Sequence, residues 1–97
     1  MHRDQAIQNL RQLLPALRRD FDVRKIALFG STARDEARED SDLDLLVEFE
    51  NGPTFDSFMG LKLFLEDHFG HKIDLVTPDA LKPRLRTIVQ REAVNVT

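Results

Sequence analysis

KIALFGSTARDEAREDSDLDLLVEF, residues 25–49, is the stretch on which the reading of this chain turns. The apolar run Ile26-Ala27-Leu28-Phe29 is closed by Gly30-Ser31. Ten residues follow, most of them charged, before Asp42-Leu43-Asp44 opens a second apolar run that ends at Phe49. There Leu43, Leu45, Val47 and Phe49 alternate with Asp42, Asp44, Leu46 and Glu48. A period of two is the pattern of a strand, and it puts Asp42 and Asp44 on the same face. Lys25 to Phe29 reads as a short buried strand. Ser31 to Ala37 can start a helix with Ser31 at or near its N-cap, and Arg38 to Ser41 is a polar connection.

Outward from this stretch, Ile7, Leu10, Leu14, Leu17 and Phe21 form one apolar helical stripe. Pro15 lies inside it, so a kink or two short helices meeting near Leu13-Leu14 are expected. On the other side, Asn51-Gly52-Pro53 signals a turn. Thr54 is placed as an N-cap, with Asp56 in the first turn. Phe58, Leu61, Leu65 and Phe69 give a second helical stripe, widened by Phe55, Met59 and Phe64, and Gly70 stops it. Lys72 to Val76 is a third strand, with Asp74 opposite Ile73 and Leu75. Pro83 suits the first turn of a last helix whose Leu85, Ile88 and Val89 should face inward. The order is helix, strand, short helix, strand, helix, strand, helix. It gives an α/β (α+β) fold with a small sheet covered mainly on one side.

Composition narrows the partners. The chain has 97 residues, the size of one domain, spanning 1–97. Hydrophobic residues make up 41% and charged residues 32%, and the net charge is −3. That balance argues against a binder that grips nucleic acid through a large basic surface. There is no cysteine, which excludes disulfides and thiolate metal sites. The N-terminus has no apolar segment of secretory type, and no apolar run has membrane-spanning length, so a cytoplasmic protein is expected.

Two carboxylates on one strand face repel when both are ionised in a desolvated pocket, so at least one pKa should rise. A divalent cation removes the conflict. Hard oxygen ligands suit Mg²⁺ or Mn²⁺, which also take phosphate oxygens, and Asp74 on a neighbouring strand would complete a two-metal site. Gly30-Ser31 at a strand-to-helix turn offers close backbone approach, N–H groups and a hydroxyl, as a phosphate requires. Taken singly, each feature has a bland reading: a lone D-x-D often heads a solvated strand, Gly-Ser is usually a turn, and Asp74 could sit on an exposed edge. Their conjunction carries the argument.

Gly30-Ser31, the ten-residue spacer and Asp42-Leu43-Asp44 match the G-S-x10-D-x-D signature of the DNA polymerase β-like nucleotidyltransferase superfamily. The fuller run FGSTAR–EA–SDLDLLVEF resembles its smallest members, the minimal nucleotidyltransferases of prokaryotes. The resemblance extends through KIDLV into LRTIVQREAV. It implies a small mixed sheet with helices packed mainly on one face. It further implies two Mg²⁺ ions bridged by Asp42 and Asp44, with Asp74 binding the catalytic ion and helping to deprotonate the acceptor. Gly30 and Ser31 would hold the β- and γ-phosphates of a nucleoside triphosphate, ATP, assisted by Arg34. Many such proteins are paired with a small helical HEPN ribonuclease toxin and act as its antitoxin by transferring AMP to a toxin tyrosine. This chain contains no Tyr, so a tyrosine acceptor must lie on another molecule, and an assembly with that partner is implied.

The sequence departs from the family in places. Asp35 stands where the family often has Gly after the Arg, and an acid beside a triphosphate path would repel it unless it points away. The Arg38-Glu39-Asp40 spacer is heavily charged. No extra domain of the kind with which larger relatives grip base and acceptor is expected in these 97 residues, so base selectivity is expected to be poor or completed by a partner. His68 and His71 read as a charge-compatible helix end, and the Phe55, Phe58, Phe64 and Phe69 set reads as core or interface. Arg84, Arg86 and Arg91 read as a solvated helix face. The competing function is a non-catalytic or weakly catalytic antitoxin that masks its toxin by binding. A transferase acting on a small molecule or an RNA end is a third.

Overall fold

The computed structural model describes residues 2–38 and 41–97. Glu39 and Asp40 of the charged spacer lie outside them. Among the described residues, helix α1 (Arg3–Phe21) leads into strand β1 (Val23–Phe29) and a single helical turn, α2 (Gly30–Ala33). Strand β2 (Leu43–Phe49), helix α3 (Phe55–Phe69) and strand β3 (Ile73–Val76) follow. A 3-10 turn (Pro78–Ala80), helix α4 (Pro83–Glu92) and the two-residue strand β4 (Val94–Asn95) complete the order. The strands form one mixed sheet in the order β3-β2-β1-β4. β1 runs antiparallel to both β2 and β4, and β2 runs parallel to β3.

The period-two pattern of β2 decides how the sheet is covered. Leu43, Leu45, Val47 and Phe49 are buried, as are Ile26 and Leu28 of β1 and Ile73 and Leu75 of β3. On this face α1 buries Ala6, Ile7, Leu10 and Leu17, and α3 buries Leu61 and Leu65. Phe21 of α1 meets Phe64 of α3 with ring centroids 5.2 Å apart. One apolar layer thus joins two helices to the sheet. The ends of α3 match their sequence signals. Thr54 accepts from the Ser57 N–H while the Ser57 hydroxyl accepts from the Thr54 N–H, and Gly70 closes the helix at φ +67°.

Five expectations change in the folded chain. Pro15 does not split α1, which runs as one helix. Pro15 and Arg11 are both solvent-exposed, so water can serve the carbonyl that lost its partner, and the stripe keeps its packing on both sides. The turn after β1 is shorter than expected, ending at Ala33, and it starts at Gly30, so Ser31 lies inside it and is not its cap. Asp42 immediately precedes β2. Phe55 does not widen the α3 stripe; as the first helical residue it is 80% exposed. The last helix is rotated from expectation: Leu85 and Ile88 are about half exposed, and α4 has no buried residue. Arg86 sets this rotation by donating to the carbonyls of Pro78 at 2.8 Å and Leu81 at 3.3 Å. Beyond α4, β4 adds a strand too short for any periodicity to announce, and the Val96 N–H donates to the Ile26 carbonyl at 3.0 Å.

Candidate active site

The site is built on the sheet face opposite α1 and α3. Alternation along β2 turns Asp44 there, because its neighbours Leu43 and Leu45 are in the core. In register, Asp44 pairs with Phe29 of β1 on one side and with Asp74 of β3 on the other. Asp74 is exposed, between buried Ile73 and Leu75, as its place in KIDLV predicts. Neighbouring strands lie roughly 4.8 Å apart, so register alone brings the two carboxylates together. Asp42 stands half-buried just ahead of the strand, with Lys72 Nζ 4.0 Å from its Oδ2.

This crowding has an electrostatic signature. The pKa of Asp44 is pushed up from 3.8 to about 6, first by burial, then by the charge of Asp74, with which it also hydrogen-bonds, and then by the charge of Asp42. Arg34 works in the opposite direction. Among the described residues, no three acidic or histidine side chains close into a ready-made cage for an ion. The carboxylates gather around Asp44 and leave the cluster open. An open set of two or three hard oxygen donors, destabilised by its own charge, fits a cation such as Mg²⁺ that keeps several waters and shares its shell with phosphate. The residues therefore fit a divalent metal.

Gly30 joins the second half of the motif to the first. Its φ is +75°, and a Cβ at that position would clash with the Asp44 carboxylate. Only glycine satisfies both demands. The backbone therefore passes directly over Asp44 before entering the α2 turn, with half-buried Ser31 next in line. Thr32 and Ala33, both buried, pack the turn down. The Arg34 N–H donates to the Gly30 carbonyl, which brings the Arg34 side chain to the same corner. Its guanidinium donates to Glu36 at 3.2 Å and to Glu92 at 2.6 Å. These acids hold its pKa above the usual arginine value, Glu36 most strongly, although the Glu92 contact is the shorter. The turn and both carboxylate-bearing strands thus place Gly30, Ser31, Arg34, Asp42, Asp44 and Asp74 in one region.

Two residues acquire meanings that sequence reasoning missed. Asp35 adopts φ +59°, the left-handed conformation that glycine takes most easily and Asp tolerates better than most residues. Its carboxylate turns to the start of α1, accepting from the Arg3 N–H at 3.3 Å with His2 Nδ1 3.6 Å away. A helix N-terminus stabilises that charge. The family's preference for glycine here was the available signal. Glu92 accepts from the Gly30 N–H at 3.3 Å as well as from Arg34. No sequence signal pointed to it, because 62 residues separate it from Gly30. Beside the site, a groove of about 180 Å³ runs along the same sheet face between Ala27, Leu46, Gln90 and Asn95.

Both the sequence and the fold of this chain resemble those of known proteins. A model of the nucleotidyltransferase domain family matches residues 10–96. The protein adenylyltransferase MntA of Thermococcus cleftensis is 46% identical over 80 residues, which span 82% of this chain and 81% of the relative. A solved structure described as a candidate minimal nucleotidyltransferase superposes with a TM-score of 0.81 at 44% identity, over 97% of this chain and 95% of the other. The fold also matches a chain in the structure of a tri-AMPylated Shewanella oneidensis HEPN toxin in complex with MNT antitoxin. There the TM-score is 0.67 at 20% identity, over 94% of this chain and 71% of the other.

Proposed function

Because this chain belongs to the nucleotidyltransferase domain family, we propose that it transfers AMP from ATP to a tyrosine hydroxyl of a HEPN-type toxin and so serves as its antitoxin. In this reading residues 1–97 act as a single minimal nucleotidyltransferase domain. The observation that carries it is the junction of Gly30 and Asp44: the turn suited to phosphate is seated on the carboxylate that shares a row with Asp74. A triphosphate bound at the turn is thereby delivered to the acidic cluster. The relative named as a protein adenylyltransferase supports AMP as the group transferred, and the toxin–antitoxin neighbour supports the class of partner. Among the described residues no helix is long and apolar enough to cross a membrane.

In this mechanism Gly30 and Ser31 bind the β- and γ-phosphates, with Arg34 beside them. Asp42, Asp44 and Asp74 would hold two Mg²⁺, which when bound supply charge to the attacking and leaving oxygens. The acceptor oxygen approaches the α-phosphorus across the open sheet face. A new P–O bond forms to the acceptor as the bond to the β-phosphate bridging oxygen breaks, and pyrophosphate leaves. Asp74, exposed beside this path, takes up the hydroxyl proton and passes it to solvent. Most of the remaining acceleration is positioning, which the rigid sheet register provides.

The test uses the co-purified partner, this protein, Mg²⁺ and ATP, followed by intact-mass measurement. A gain of one or more AMP units on the partner is expected, and none with the Asp42→Asn/Asp44→Asn double variant. A specific observation supports a second reading: Leu85 and Ile88 present an apolar pair to solvent on α4, as a masking antitoxin would. In that case no AMP is added, and the double variant silences the toxin as well as the wild type does.

A further inference from the structure

Two of the donors assigned to phosphate already have an acceptor. Glu92, the last residue of α4, reaches across to accept the Gly30 N–H at 3.3 Å and Arg34 Nη1 at 2.6 Å. A carboxylate is the side chain closest in charge and geometry to a phosphate edge, and bonds from Arg and backbone N–H are the ones both prefer. We infer that Glu92 is an internal competitor for nucleotide phosphate, holding the Gly30 N–H and Arg34 until a triphosphate displaces it. This inference rests on the nucleotide site proposed above.

Two further features agree. If Glu92 stayed in place, its charge would face the incoming triphosphate at contact range, an arrangement that penalises binding. The carboxylate that must move also lies at the surface. α4 has no buried residue and the Glu92 side chain is 29% exposed, while the chain beyond it is held by the Ala27↔Asn95 and Leu28↔Val94 pairs and by buried Val96, whose N–H donates to the Ile26 carbonyl. Glu92 can therefore release both donors by rotating its side chain toward solvent, with α4 and the core left in place. A carboxylate that served only to orient Arg34 would leave the Gly30 N–H to the ligand. Glu92 takes both donors.

The experiment measures Mg·ATP affinity of the full chain by calorimetry, in wild type and in Glu92→Gln, which keeps shape and removes charge. The ¹⁵N resonance of Gly30 is followed in parallel. Glu92→Gln is expected to bind about tenfold tighter, the scale of one charge-assisted hydrogen bond. Its nucleotide-free Gly30 amide should shift from the wild-type position, which reports the altered contact, while the tighter binding is the change that a merely structural role for Glu92 would not produce. Glu92→Asp, too short to span both donors, should change both readouts in the same direction and serves if Glu92→Gln fails to fold. Affinity equal to or weaker than wild type, whatever the Gly30 amide does, would overturn the inference while leaving the nucleotide site intact. If neither wild type nor variants bind Mg·ATP, the nucleotide site itself falls and the inference with it.

Discussion

Strand β2 presents two chemistries from seven residues, separated only by parity. Leu43, Leu45, Val47 and Phe49 point into the helix-covered layer and are almost fully buried. Asp44 and Glu48 point the other way, and between them Leu46 is flanked in register by Ala27 and Val76. The first set has neighbours on every side and little to do except pack. The second is left crowded and partly unmet, as shown by the raised pKa of Asp44. Buried packing is concentrated on one side of the sheet and the candidate site on the other, so a substitution on β2 should act through the face it lies on.

The sharpest way to break this division is Leu45→Ala. Leu45 is 0% exposed, and the cavity left behind should cost about 2–5 kcal/mol of stability, read from urea unfolding. An effect under 1 kcal/mol would show that the helix-covered layer does not carry the fold.

The opposite face should respond with the opposite sign. The folded-state pKa of Asp44 lies above its unfolded value, so its favourable contribution is complete below about pH 4 and is lost as pH rises through about 6. The full displacement corresponds to about 3 kcal/mol, and solvent screening of a partly exposed group reduces this to about 1 kcal/mol. Metal-free Asp44→Asn should therefore match the wild type at pH 4 and be more stable by about 1 kcal/mol at pH 8. Thermal unfolding across that range checks it. Added Mg²⁺ should stabilise the wild type at pH 8 and not the variant. A variant less stable than wild type at pH 8 would show that Asp44 is held by favourable contacts and not by crowding.

The smallest effect belongs to α4. Ile88→Ala, at a residue 51% exposed, should change stability by no more than about 0.5 kcal/mol. A loss several times larger would mean that α4 belongs with the buried layer.

Much of this was legible in residue order because it depends on local rules. Alternation along β2 predicted that Asp44 would lie opposite Leu43 and Leu45, and KIDLV predicted that Asp74 would oppose Ile73 and Leu75. Gly30 was legible as a turn. Its seat on Asp44 was not, because that contact is made across a strand pair. The rotation of α4 was misread because hydrophobicity was the only guide to its inward face, and two carbonyl contacts from Arg86 decided otherwise. The direction of Asp35 depended on where α1 begins in space, which no local pattern records.

By itself the sequence determined three of the four strands and the three longer helices, the side of β2 and β3 that would be buried, and the residue types chemically suited to phosphate and a divalent cation. Each of these follows from spacing over a few residues, where backbone geometry leaves little choice. Only the tertiary structure decided what those groups meet: Asp44 against Asp74 through parallel register, Gly30 against Asp44 through the β1–β2 pair, and Glu92 against Gly30 across 62 residues. Such contacts are set by how sheet register and helix packing close together, and that closure is a property of the whole chain.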